Sequence, residues 1–310
     1  MPEFLSSAML DDMLASPRTF PTIDSPEGPI DIRHFVGDNE TPPFLSHRGT
    51  NHTYEPSSPT YASLRRDFDE FLEVTAGSPE KRVLLTEGPH PDVNKDDLKE
   101  AFIRLGGESG WLYWMGAQEN IETQRAEPPR NAEVPELLRR YSPEETFLFY
   151  TVRDLFEHYQ MLKDEATNQS LRQATDAALR KSQKRFLPHE GIRAVMEELW
   201  SRPLTEADFS YEQFTQSHEA LLGITPSAVP DDYYLELMTD DVYADKAGNP
   251  VTRVSEACSR LRDIHGASVI LGHLAAGRSV FACAGWFHVR ALEPISRNAR
   301  HILAKQGIHF

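Results

Sequence analysis

The stretch Arg82-Val83-Leu84-Leu85-Thr86, followed at once by Glu87-Gly88-Pro89-His90, decides the fold. A short, unbroken apolar run reads as a strand buried on both faces, as in a parallel sheet, and the Gly-Pro pair ends it. Upstream, Tyr61 to Val74 places Leu64, Phe68, Phe71 and Leu72 at helical spacing. Before that helix, Phe44 to Arg48 is a strand-like run that ends in Gly49-Thr50-Asn51-His52. Downstream, Asn94 or Asp96 can cap a helix through Leu105. Gly106-Gly107-Glu108 punctuates it, and Trp111 to Gln118 resumes. Ile121 to Ala126 is a further strand, closed by Glu127-Pro128-Pro129. Strand, helix, strand, helix, strand is the order of a parallel sheet with crossover helices.

The pattern changes at Ser142. Ser142-Pro143-Glu144-Glu145 has the residues of a capping box with Pro at the first helical position. Helical stretches to Phe186, around Ile192 to Trp200 and over Tyr211 to Leu222 follow. Arg253 to Ala276 is again helical. Ser279 to Ala284 is the last strand and runs into Gly285-Trp286-Phe287-His288, and a final helix over Leu292 to Lys305 stops at Gly307. Residues 1 to about 40 hold Pro, Ser, Asp and Glu without periodicity, which suits a loose arm, or one that folds only against the domain or a partner. The expectation is an α/β protein with a mostly parallel central sheet flanked by helices and an all-helical insertion. It has a loosely ordered arm over 1–40, a first half of the core over 41–141, the insertion over 142–250 and the second half over 251–310.

Composition excludes several classes of function. Of 310 residues, 39% are hydrophobic and 26% charged, which is globular. The net charge of −16 repels nucleic acid, and the short basic runs at Arg65-Arg66 and Arg180-Lys181 sit in mixed-charge helical surroundings. Two cysteines, Cys258 and Cys283, make neither a disulfide scaffold nor a thiolate zinc site. The first residues carry acids where a signal peptide needs bases, and no apolar stretch reaches the ~18 residues of a membrane span. A cytoplasmic protein is expected. There is no G-x-G-x-x-G after the first strand, no P-loop, no G-x-S-x-G elbow and no H-E-x-x-H.

Chemistry is expected where strands end. His52, Glu87, Glu127 and His288 each follow an apolar strand closely. In an open parallel sheet ligands bind outside the carboxyl ends of the strands, so one edge gathers two imidazoles and two carboxylates. These are ligands for zinc, manganese or iron, and also general acids and bases. Taken singly, each has a plainer role: a His as turn or cap, a Glu before Gly-Pro or Pro-Pro as a strand terminator. Trp111, Tyr113 and Trp114 read as core aromatics. His47 shares a strand face with Gly49, His273 reads as an ordinary helix-end residue, and His218 and Tyr150 lie in the helical insertion.

Gly49-Thr50-Asn51-His52, the following helix and Val83-Leu84-Leu85-Thr86-Glu87-Gly88 resemble the opening of the TraB/TIKI superfamily, which includes the erythromycin esterases and the ChaN-like proteins. Arg262-Asp263 in a helix before Val280 to His288 is similar to that family's arginine-bearing helix, strand and second Gly/His turn. The resemblance covers residues about 44–130 and 250–310, and it departs at Trp286 and Phe287, where the family has small residues. It implies a metal-dependent hydrolase acting on a peptide, ester or similar acyl bond. His52, Glu87 and His288 would bind a divalent metal (manganese, cobalt or zinc), with Glu87 also catalytic. Glu108 or Glu127 would be the general base, and Arg262 with Asp263 would reach the site from the helix. The expected partner is a small-molecule or peptide substrate, with no nucleic acid and no membrane; self-association stays open. The other readings are a haem- or iron-binding protein on the same scaffold, without hydrolysis, and a protein-interaction module. The plainer role for Arg262-Asp263 is a surface helix ion pair.

Overall fold

The computed structural model describes residues 5–14, 30–37, 41–88, 91, 98–150, 152–153, 203, 211–225 and 249–310. These divide into two compact units, Met1–Pro128 with Arg262–Phe310, and Pro129–Leu261. The first unit holds a five-stranded sheet: β1 Asp31–Phe35, β2 Phe44–Thr50, β3 Arg82–Thr86, β4 Glu122–Arg125 and β5 Ser279–Gly285. Their spatial order is β1-β2-β5-β3-β4. Strand β5 pairs in parallel with both β2 and β3, and β3 with β4, while β1 is an antiparallel edge on β2. The fold is therefore α/β with a mostly parallel sheet flanked by helices.

The apolar strands split by alternation into two cores, as the two-residue period of a strand requires. Leu45, Val83, Leu85, Val280 and Ala282 face one layer. That layer contains Ile270, Leu271 and Leu274 of a helix over Pro250–Ala275 (α6), Leu292 and Ile295 of Trp286–Arg297 (α7), and Leu303 of Ala299–Lys305 (α8). Phe44, Leu84, Phe281 and Cys283 face the other layer. There they meet Tyr61, Leu64, Phe68 and Phe71 of Pro59–Val74 (α2) and Ile103, Trp111, Leu112 and Met115 of Lys99–Glu119 (α3). The chain thus leaves β2 and β3 toward one face and β5 toward the other. Such a reversal opens a crevice at the carboxyl ends of the strands.

Several elements differ from the sequence reading. The arm supplies two of them, Ser7–Met13 (α1) and β1. Helix α1 places Leu10 in the core beside Leu5 and Leu14. In β1, Arg33 pairs with Asp31 and Glu70, and Arg48 reaches Asp31 at 3.2 Å and Asp67 at 3.3 Å. These ion pairs hold a polar strand that has no apolar run to announce it. Gly285 to His288 is not a free turn: Gly285 is the N-cap of α7, so His288 lies in the first turn of a helix. The single final helix is two, α7 and α8, meeting at Asn298.

In the second unit, Arg130–Leu138 (α4), the helix beginning at residue 143, Tyr211–Leu222 (α5) and the first part of α6 are described. The expected capping box is formed: the Glu145 amide donates to Ser142 Oγ at 3.1 Å, and the Ser142 amide to Glu145 Oε2 at 2.9 Å. Its core is built from Val134, Leu137, Leu148, Val152, Val251 and Val254. Tyr150 donates to Glu133, and His218 Nδ1 contacts the Ile224 carbonyl at 2.6 Å, so both are structural within that unit. The Ile192 to Trp200 stretch lies outside the described residues. Among the described residues no helix is long and apolar enough to cross a membrane.

Candidate functional site

Strands β2, β3, β4 and β5 point the same way, so the residues that follow them share one edge of the sheet. Gly49 lets the start of α7 approach the end of β2: a Cβ there would lie 3.0 Å from the Trp286 Cα. Beyond Thr50 the chain carries His52 over the edge, β3 delivers Glu87, β4 delivers Arg125 and Glu127, and β5 delivers Gly285 and then His288 in the first turn of α7. From α6, Arg262 and Asp263 reach the same point.

Glu87 is the hub. Its Oε2 accepts the Gly285 amide at 2.6 Å and lies 3.5 Å from His52 Nε2. Its Oε1 lies 3.5 Å from His288 Nε2 and 3.3 Å from Arg262 Nη2. A side chain at Gly285 would displace the His52 ring, because a Cβ would sit 2.8 Å from His52 Nε2 and 3.3 Å from Glu87 Oε2. Burial alone would raise the Glu87 carboxyl. The positive charges of His288, His52 and Arg262 and the Gly285 N–H overcome it and hold the group well below the usual carboxylate range.

Each imidazole is held from behind by a carboxylate. His288 Nδ1 lies 2.6 Å from Asp263 Oδ1, and His52 Nδ1 lies 3.4 Å from Glu108 Oε2. A carboxylate only accepts, so each Nδ1 carries a proton and each Nε2 faces Glu87. Desolvation lowers the His52 pKa, but the Glu108 hydrogen bond and the charges of Glu87 and Glu108 outweigh it and raise the pKa to about 9. The His52 side chain is 54% exposed, so this imidazole is open to a small molecule.

Glu127 sits between two guanidiniums: Arg125 Nη2 donates to its Oε2 at 2.7 Å, and Arg262 pairs with its Oε1. Arg125 Nε also donates to the Glu87 carbonyl at 3.3 Å. Ligand atoms of Glu87, Glu127 and His288 all lie within 4.8 Å of one another, a spacing that suits a metal ion.

The residues to which sequence gave a metal-binding or catalytic role, His52, Glu87, Glu108, Glu127, Arg262, Asp263 and His288, lie in this neighbourhood. Glu108 is 4% exposed, and both its oxygens are engaged, one by His52 and the other by the Thr53 amide at 2.9 Å. Arg262 and Asp263 form no surface ion pair. Asp263 is buried against His288, and Arg262 bridges Glu87 and Glu127. His47 stays out of the site: it is fully buried, with Nδ1 2.9 Å from Ser296 Oγ of α7. His273 contacts Gln124 of β4 at 3.1 Å. No protein family, curated protein or solved structure matches the chain. Sequence reasoning missed Arg125 and the Gly285 amide. Strand alternation held the signal for Arg125, since residues 125 and 127 are two apart. A backbone donor leaves no mark in a sequence.

Proposed function

We propose that the chain is a metal-dependent hydrolase of the TIKI/erythromycin-esterase-like type, cleaving a peptide, ester or similar acyl bond at this edge of the sheet. The observation that supports it is the arrangement about Glu87: one carboxylate faced by the Nε2 atoms of His52 and His288, each ring oriented by its own carboxylate. Acid–imidazole pairs of this kind fix the tautomer and ring direction of histidine ligands.

The donor set fits a divalent ion such as zinc, cobalt or manganese. Among the described residues, the four carboxylates Glu87, Glu108, Glu127 and Asp263 are joined by two guanidiniums, Arg125 and Arg262, so with neutral imidazoles two negative charges remain, which one dication balances. His52, Glu87 and His288 would hold it, with the half-exposed His52 ring turning in toward the Glu87, Glu127 and His288 atoms that already lie within 4.8 Å of one another. When bound, such an ion supplies Lewis acidity, polarising a carbonyl and making water more acidic. Asp263 and Glu108 then act as orienting groups. Glu127 would take a proton from the attacking water once Arg262, which pairs with its Oε1, turns to the substrate. Arg262 meets the negative charge that develops on the substrate oxygen.

Hydrolysis of a chromogenic aryl ester and of a quenched-fluorescence peptide library, with manganese, cobalt or zinc added, tests this reading. The proposal requires metal-stimulated turnover that falls at least about a hundredfold in Glu87→Ala and in His52→Ala. Full activity in both variants would overturn it.

A further inference from the structure

Helix α3 is broken at one residue, and the break faces the site. Gly107 has φ 55° and ψ −137°, a backbone state that L side chains rarely adopt. The two residues after it reach two different strand ends. Glu108 accepts the Thr53 amide at 2.9 Å through one oxygen and faces His52 Nδ1 at 3.4 Å through the other. Ser109 Oγ accepts the Gly88 amide at 2.9 Å, one residue beyond Glu87. Both loops are also fixed from their far sides. Tyr61 Oη donates to the Thr53 carbonyl, and Thr86 Oγ1 donates to the Gly88 carbonyl at 2.9 Å. Residues 108 and 109 resume helical geometry and project about 100° apart around the axis. The break at Gly107 sets the direction in which the restarted helix presents them to the two loops.

We propose that the break at Gly107 is a positioning device in which Glu108 sets His52 and Ser109 sets Glu87, bringing two separate strand-end loops to one point. The use made of His52 and Glu87 rests on the hydrolase reading above; the positioning is a property of the metal-free chain. Ser109 is thus a positioning residue that touches no reacting atom. It acts on Glu87 through the Gly88 amide.

The test uses the metal-free full chain. The Gly285 amide reports where the Glu87 carboxylate is, because it donates to Glu87 Oε2 from a different strand. Its proton shift and hydrogen exchange are compared in the parent, Ser109→Ala and Ser109→Thr, beside the amides of Phe281 and Ala282 in the same strand. The expected result is a Gly285 amide that exchanges at least about tenfold faster and moves upfield in Ser109→Ala, with Phe281 and Ala282 unchanged and the Gly285 signal restored in Ser109→Thr. A general loss of stability would move all three amides together, and that outcome overturns the proposal. So does a Gly285 amide identical in parent and Ser109→Ala. Glu108→Gln is expected to leave Gly285 in place while loosening the Thr53 amide. Titration of the same samples with zinc, cobalt and manganese separates the two readings: a parent that binds none of them contradicts the hydrolase proposal and leaves the amide result standing.

Discussion

His288 Nδ1 lies 2.6 Å from Asp263 Oδ1, while Nε2 of the same ring lies 3.5 Å from Glu87 Oε1. One side chain therefore links helix α6 to the end of β3 and has only one ring orientation that satisfies both neighbours. Asp263→Asn keeps the shape but removes the charge that holds the proton on Nδ1. Zinc affinity is expected to fall about 10–100-fold, the range for the loss of an outer partner of a histidine ligand. Competition with a chromophoric chelator measures it, and an unchanged affinity would show that Asp263 plays no such part.

Metal binding at the proposed site is expected to depend on pH through His52. Its pKa is raised to about 9, so at neutral pH a proton competes with a metal ion for the ring. Zinc affinity is expected to rise about tenfold per pH unit up to that value, from this residue alone. Without metal the sign reverses. A raised folded pKa stabilises the chain fully below the unfolded value of 6.5, and that contribution is lost as pH rises from 6.5 toward 9. Urea midpoints of the metal-free chain across that window should fall in the parent and fall less in His52→Ala.

His47 predicts a loss of stability on the acid side. Burial, with a smaller effect of His288, lowers its pKa to about 4. The unfolded chain takes up the proton near 6.5 and the folded chain does not. Stability is therefore lost as pH falls from 6.5 to about 4, by about 3 kcal/mol in total. His47→Gln should flatten this part of the stability profile. A parent profile with no slope there would contradict the burial of a neutral imidazole.

The two glycines beside the site should behave differently. A Cβ at Gly49 meets the backbone of Trp286 at 3.0 Å, so Gly49→Ala should cost about 1–3 kcal/mol, read as a lower urea midpoint. At Gly285 the Cβ meets the end of the half-exposed His52 ring at 2.8 Å, which can swing away. Gly285→Ala should therefore weaken metal binding more than it weakens folding. Equal loss of stability in both variants would argue against this distinction.

The central sheet is legible because its strands are apolar runs that need only be buried. Val83-Leu84-Leu85 and Val280-Phe281-Ala282 announce themselves whichever face each residue takes. Strand β1 is not legible, since Ile32 and Phe35 make no apolar run and the charges of Asp31 and Arg33 are met by Arg48, Asp67 and Glu70 from other elements. The start of α7 is hidden for a different reason. Its N-cap is Gly285, with no side-chain cap hydrogen bond, so Trp286-Phe287-His288 resembles a turn. At the site, residue types at strand ends point to His52, Glu87, Glu127 and His288. Which carboxylate stands behind which ring depends on the Gly107 break and on the approach of α6 to the sheet edge, and both are set by tertiary structure.

A single metal site built from both His-bearing strand ends can be read by elemental mass spectrometry of the purified parent beside the His52→Ala/His288→Ala double variant. Near-stoichiometric divalent metal is expected in the parent, and its loss in the variant. No metal in the parent, even after incubation with manganese, cobalt and zinc, would contradict it.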